Sequence, residues 1–169
     1  LDPPLAQPTT YVWADALDWT EIIAGLDARR VTITDTTPVE LDAYGADGNW
    51  QGMIGDTLMP GQDLLLRVRG SISATPPTGD LDKARTLEIW RVVPGACDDR
   101  RAQNERTSPE PNMERVGEWT IEQGDSFDEA VRVSVQPGEA YFALLSQRAF
   151  RFETHQGGIT NAIVIGVSE

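Results

Sequence analysis

From Val31 to Val167, apolar residues recur at every second position in short runs. Val31 and Ile33 alternate with Thr32 and Thr34, and Val39, Leu41 and Ala43 alternate with Glu40 and Asp42. The same period of two runs through Leu64–Arg69, Leu87–Trp90, Glu118–Glu122 and Val131–Val135. Tyr141–Phe152, long for one strand, and Ala162–Val167 complete the series. One apolar and one polar face per run is the pattern of an antiparallel sheet with a single buried side. Eight or nine such runs, each bounded by turn residues, predict a mostly β fold: an antiparallel β-sandwich or jelly roll. Met59-Pro60-Gly61-Gln62 and Gln136-Pro137-Gly138-Glu139 each precede an apolar run. Proline fixes the first central residue of a type II turn and glycine supplies the positive φ of the second, so the two read as equivalent corners.

Before the alternation begins, the period changes. Trp19, Ile22, Ile23 and Leu26 stand at i, i+3, i+4 and i+7, one face of a helix within 15–28, and Asp18 followed by Glu21 resembles a capping box. Residues 1–12, with Pro3, Pro4 and Pro8, favour an extended N-terminal arm. The remaining residues, 13–169, read as one sandwich domain with long loops at 71–83 and 94–117. A loop of about 24 residues is commonly functional.

Length and composition bound the class. The 169 residues are enough for one domain with a sizeable core, and 40% hydrophobic with 24% charged residues is the ordinary soluble balance. No apolar run approaches the roughly 18–20 residues that span a bilayer, so membrane insertion is not expected. The start, Leu1-Asp2-Pro3-Pro4, carries neither an initiator methionine nor the basic and apolar regions of a signal peptide, so an intact precursor is not expected. Asp and Glu outnumber Lys and Arg 27 to 14, for a formal charge of −13. That field repels phosphate backbones, so no nucleic-acid partner is expected, whereas divalent cations or a basic partner suit it.

Candidate chemistry is sparse. Cys97 is the single cysteine and excludes an intrachain disulfide. His155 is the single histidine; beside Gln156-Gly157-Gly158 it reads as a turn residue, and no G-x-S-x-G nucleophile elbow accompanies it. One histidine and one cysteine cannot supply a zinc site. No catalytic residue and no metal ligand is therefore assigned. Calcium is the one cofactor the loops could hold: Asp47-Gly48-Asn49, Asp80 with Asp82, Asp98-Asp99, and Asp125 with Asp128 and Glu129 are oxygen-rich, although the EF-hand pattern is absent. Tyr44, Trp50 and Trp90 lie near strand ends or on the polar phase of their runs, where flat rings beside carboxylates and amides stack on sugars; tryptophans in a sandwich also serve as core. The stretch Asn49-Trp50-Gln51-Gly52, Gly55-Asp56 and Pro60-Gly61 resembles the front of the galactose-binding-like sandwich lectins over about 25 residues. That resemblance implies a sugar-binding β-sandwich. The calcium-and-sugar loop expected near the C-terminal end of that family has no match here.

These features point first to a non-enzymatic structural or assembly subunit of a virion or extracellular surface, such as a virion decoration or cement protein. Its partners would be copies of itself or a repeated protein lattice. Contacts would come from the arm at Pro3, Pro4 and Pro8 and from the loop at Asp98, Asp99, Arg100 and Arg101. The alternative is a carbohydrate-binding or adhesion module, calcium-assisted, with surface glycans at Tyr44, Asp47, Asn49 and Trp50; it requires that Trp50 and Trp90 are not both buried. A glycoside hydrolase with two carboxylates about 5–10 Å apart is the third reading.

Overall fold

The computed structural model describes residues 9–34, 38–61, 63–72, 84–94, 112–122, 124–148 and 155–167. Twelve strands and one helix are formed among them: β1 (Thr9–Val12), α1 (Trp19–Asp27), β2 (Val31–Thr34), β3 (Glu40–Gly45), β4 (Trp50–Met53), β5 (Thr57–Leu58), β6 (Asp63–Ser71), β7 (Ala84–Val92), β8 (Met113–Glu122), β9 (Ser126–Ser134), β10 (Ala140–Arg148), β11 (His155–Thr160) and β12 (Ile163–Ile165). The count exceeds eight or nine because β1, β4, β5 and β11 lie outside the alternating runs.

Two sheets face each other. The smaller runs β4-β3-β6-β9 and is antiparallel throughout. In the larger, β11 and β12 lie end to end along one edge of β10 and β7 lies along the other. From there the sheet extends through β2 to β1 on one side and through β7 to β8 on the other, with β5 parallel to β12. The mostly β, two-sheet architecture read from the alternation is what forms.

The core fills with the predicted phase. Val39, Leu41 and Ala43 of the β3 region, Leu64, Leu66 and Val68 of β6, Leu87 and Ile89 of β7, and Tyr141, Ala143 and Leu145 of β10 are all essentially inaccessible. Two buried threonines join them without leaving a polar group unmet. The Thr32 hydroxyl donates to the Val39 carbonyl at 2.8 Å, and Thr160 Oγ1 accepts from the Ala143 amide at 2.9 Å.

Several boundaries differ from the sequence reading. The 94–117 loop is shorter at its end, because β8 already begins at Met113; a register shift at Ile89/Trp90 obscures its alternation. Ser71, placed in the 71–83 loop, belongs to β6. Thr9–Val12, placed in the arm, pair with β2. His155 and Gln156-Gly157-Gly158 form strand rather than turn, pairing β11 with β10. Both Pro-Gly corners form, with positive φ at Gly61 and Gly138. They meet at one end of the sandwich, flanking an open cleft of about 560 Å³ lined in part by Met59, Pro60, Ser134, Gln136 and Pro137.

Candidate functional site

α1 forms where the spacing places it. Asp18 caps it: its carboxylate accepts from the Thr20 and Glu21 amides at 2.9 and 3.0 Å. The helix then turns Trp19, Ile23 and Leu26 outward. Only Gly25 is buried, and it packs so closely that a Cβ there would lie 2.5 Å from the Trp13 carbonyl oxygen and 2.9 Å from Val12 Cγ1. Glycine at this position lets the helix backbone rest directly on the segment leaving β1. The other end is tied down by Arg30, whose guanidinium meets Asp56 Oδ1 at 3.2 Å while Asp56 Oδ2 accepts from the Met53 amide at 3.0 Å.

The result is an uncovered apolar surface. Leu17 is 98% exposed, Trp19 76%, Ile23 42% and Leu26 44%. Val12, which Gly25 touches, pairs with Val31, and so shares a sheet face with Ile33 and with Ile33's own partner Ile159. Ile33 and Ile159 are 48% and 42% exposed, so the outer face of the larger sheet also carries exposed apolar side chains. Leu17, Trp19, Ile23 and Leu26 together uncover on the order of 500 Å², within the range of the largest apolar patch on a typical monomer.

The opposite face carries the residues read as a ligand site. Register places Trp50, Tyr44, Leu65 and Arg132 in one row across the outer face of the smaller sheet. At about 4.8 Å per strand the row is about 14 Å long. Trp50 is 55% exposed and Tyr44 half-buried beside it. Asp47 and Asn49 occupy the adjoining β3–β4 turn. The Asn49 amide holds the Asp47 carboxyl below its usual range from 3.0 Å, helped by Asn49 Nδ2 at 2.6 Å. Trp90, grouped with these aromatics by sequence, stands on the other sheet, where its indole N–H donates to Glu88 Oε2 at 3.1 Å. Only Tyr44 and Trp50 are brought together.

The buried carboxylates among the described residues are all engaged. Asp42 meets Arg69 at 2.5 Å, and Glu88 meets Arg115 at 2.7 Å. Glu139 accepts from the Tyr141 hydroxyl at 2.6 Å and the Gln136 amide at 2.9 Å, with Arg91 Nη1 at 3.6 Å. Burial first, and then this hydrogen bond, push the Tyr141 phenol well above its usual range. No group of three or more His, Cys, Asp or Glu side chains converges among the described residues, and no helix among them is long and apolar enough to cross a membrane.

Pro3, Pro4, Pro8, Asp98, Asp99, Arg100 and Arg101, read as interface residues, lie outside the described residues. So do Asp80 and Asp82, read as calcium candidates. The α1 face is a site that the sequence reading does not single out, although its signal is present: a helical apolar stripe next to Asp15, Asp18, Glu21 and Asp27 in an otherwise strand-patterned chain. Fold and surface together define a two-sheet β-sandwich with an uncovered apolar helix. No protein-family model matches the chain, and a search of curated proteins finds no relative.

Proposed function

We propose that the protein is a non-enzymatic assembly subunit of a particle or cell surface, docking on other protein through α1 and the adjoining outer face of the larger sheet. The observation that carries this reading is the exposure of Trp19, Ile23 and Leu26 on one helix face, with Ile33 and Ile159 exposed on the outer face of the larger sheet. Leaving such a surface in water is unfavourable by about 25 cal/mol per Å², and contiguous patches of this size on soluble proteins mark interaction sites.

The test is the variant Trp19→Ser/Ile23→Ser/Leu26→Ser, measured by urea unfolding and by light scattering at micromolar concentration. A docking face predicts a change below about 0.5 kcal/mol per residue, the usual range for surface positions. A loss of about 2–5 kcal/mol per residue, the range for core truncation, would sink the reading. A mass in multiples of 18.6 kDa, lost in the variant, makes the partner another copy; a constant monomer mass directs the face to a different protein.

A second reading rests on Trp50, exposed opposite Tyr44: a glycan stacks on this pair, with Asp47 and Asn49 as hydrogen-bonding neighbours. A glycan screen with and without calcium tests it, and any hit must be lost in Trp50→Ala.

A further inference from the structure

We infer that β9 is a self-pairing edge: two copies of the chain join β9 to β9, antiparallel about a two-fold axis at Ala130, and fuse their four-stranded sheets into one. This surface is separate from α1, and the inference does not rest on the docking role proposed for that helix.

β9 differs from the other edge strands. It pairs with β6 from Ser126 to Ser134 with no register shift, and no strand lies on its other side among the described residues. Such an edge offers a row of amides and carbonyls to another strand. The remaining edges are blunted. β1, β4 and β5 hold four residues or fewer, and the pairing of β8 is broken by the shift at Ile89/Trp90. No proline interrupts β9.

The side chains choose the partner and the register. On the outer face one row runs Glu40, Arg69, Asp128, alternating in sign, and reaches the edge on a carboxylate. The row of Trp50, Tyr44 and Leu65 reaches the same edge on Arg132. Arg67, Arg69, Arg91 and Arg115 are each ion-paired, whereas Arg132 is exposed and holds no ion pair among the described residues. Turned on itself about Ala130, β9 sets Asp128 opposite Arg132 of the second copy, and Ser126 opposite Ser134, at both ends. Residues so opposed have Cβ atoms about 4.5–5.5 Å apart, and opposite charges there attract. The first row then continues Glu40, Arg69, Asp128, Arg132 without a break in sign. Asp128 is already positioned by Arg67, whose Nε meets Oδ1 at 2.6 Å, and a carboxylate has acceptor sites for a second guanidinium.

Other registers lose this match. Centring on Asp128 or Arg132 sets like charges face to face, and centring on Glu129 or Val131 leaves both charges opposite alanine or serine. Glu129, half-buried on the inner phase opposite Val131 of the second copy, opposes the pairing. Inward charges of that kind guard an edge against unmatched strands, so the two Asp–Arg pairs single out a second copy.

The experiment uses the full chain. Light scattering at micromolar concentration is expected to give twice 18.6 kDa. Arg132→Asp opposes two carboxylates and Asp128→Arg opposes two guanidinium groups, so each alone is expected to weaken the dimer about tenfold or more. Mixed in equal amounts, the two variants regain opposite charges at both positions and are expected to pair. Asp128→Arg also breaks the contact with Arg67, so a second measurement leaves the charges alone. In a Cys97→Ser background, Ala130→Cys meets its own copy on the axis and is expected to cross-link with a short bis-maleimide. Ser126→Cys lies about 27 Å from its own copy, at about 3.4 Å per residue, and is expected not to.

A monomer mass throughout, a dimer indifferent to Arg132→Asp, or no pairing between the two variants when both are folded would each overturn the inference. Absence of cross-linking at position 130, or equal cross-linking at 126, would do the same. A dimer lost in Trp19→Ser/Ile23→Ser/Leu26→Ser but kept in Arg132→Asp would move self-association to α1, overturning β9 while leaving the docking face intact.

Discussion

Gly55→Ala tests whether α1 is seated as the docking face requires. Gly55 has φ +89, in the left-handed region, where an L side chain costs about 1–2 kcal/mol. A Cβ at this position would stand 2.7 Å from the Arg29 carbonyl carbon and 2.9 Å from its oxygen, and closer still to the carbonyl oxygen of Ala28. These are backbone atoms at the C-terminal end of α1 and cannot rotate aside. Ordinary carbon contacts are about 3.5–4.0 Å, so the helix end and the turn after β4 must part by about 1 Å. Forced shifts of this kind cost about 1–3 kcal/mol. Two local ties would be strained with them: the Gly55 amide to the Ala162 carbonyl at 2.9 Å, and the Arg30–Asp56 pair. The expected total is about 2–5 kcal/mol. Gly61→Ala is the control, because Gly61 has φ +100 but nothing within 4 Å of an added methyl, and only the backbone cost of about 1–2 kcal/mol applies. Urea unfolding followed by tryptophan fluorescence gives both values. A Gly55→Ala loss within about 0.5 kcal/mol of the Gly61→Ala loss would refute the close seating of α1 on this turn, and with it the stated orientation of the helix.

Two further predictions concern ionic groups. Glu139→Ala is expected to cost about 3–5 kcal/mol in the same assay, because it strands the Tyr141 hydroxyl, the Gln136 amide and part of the charge of Arg91. Tyr141→Phe should cost only about 1–2 kcal/mol, since the carboxylate keeps its other partners; the reverse order would contradict the network. The hydrogen bond from Arg67 holds the Asp128 carboxyl below its ordinary 3.8, so its folded pKa is depressed. Folding then favours the ionised form, and this contribution is present above pH 3.8 and lost as pH falls through the folded value. Tm of Asp128→Asn should therefore fall less steeply than that of the wild type between about pH 4 and pH 2, and parallel curves would argue against the pair. The effect is small because both side chains are well exposed.

Much of the fold is legible because burial on one side of a sheet writes itself into the chain at period two. Leu64, Leu66 and Val68 face inward, and Leu65, Arg67 and Arg69 outward, as their alternation requires. The arrangement of the strands is not legible, because pairing depends on contacts far apart in sequence: β2 lies between β1 and β11, and Tyr44 joins Trp50 while Trp90 goes to the other sheet. The 113–117 stretch reads as loop for a local reason: a bulge shifts the register, and the apolar phase breaks with it.

The helix shows a different limit. A stripe at i, i+3, i+4 and i+7 records that one side of a helix avoids water, and is silent on what does the covering. In α1 the stripe divides: Ile22 and Gly25 turn toward the sandwich, while Trp19, Ile23 and Leu26 turn away. Gly25 makes that division possible, because a side chain there would push the helix off Val12 and Trp13. Periodicity therefore leaves an exposed strip whose covering it does not name. Urea unfolding of Trp19→Ser/Ile23→Ser/Leu26→Ser decides whether the sandwich needs those side chains: a loss above about 2 kcal/mol per residue would place them in its core.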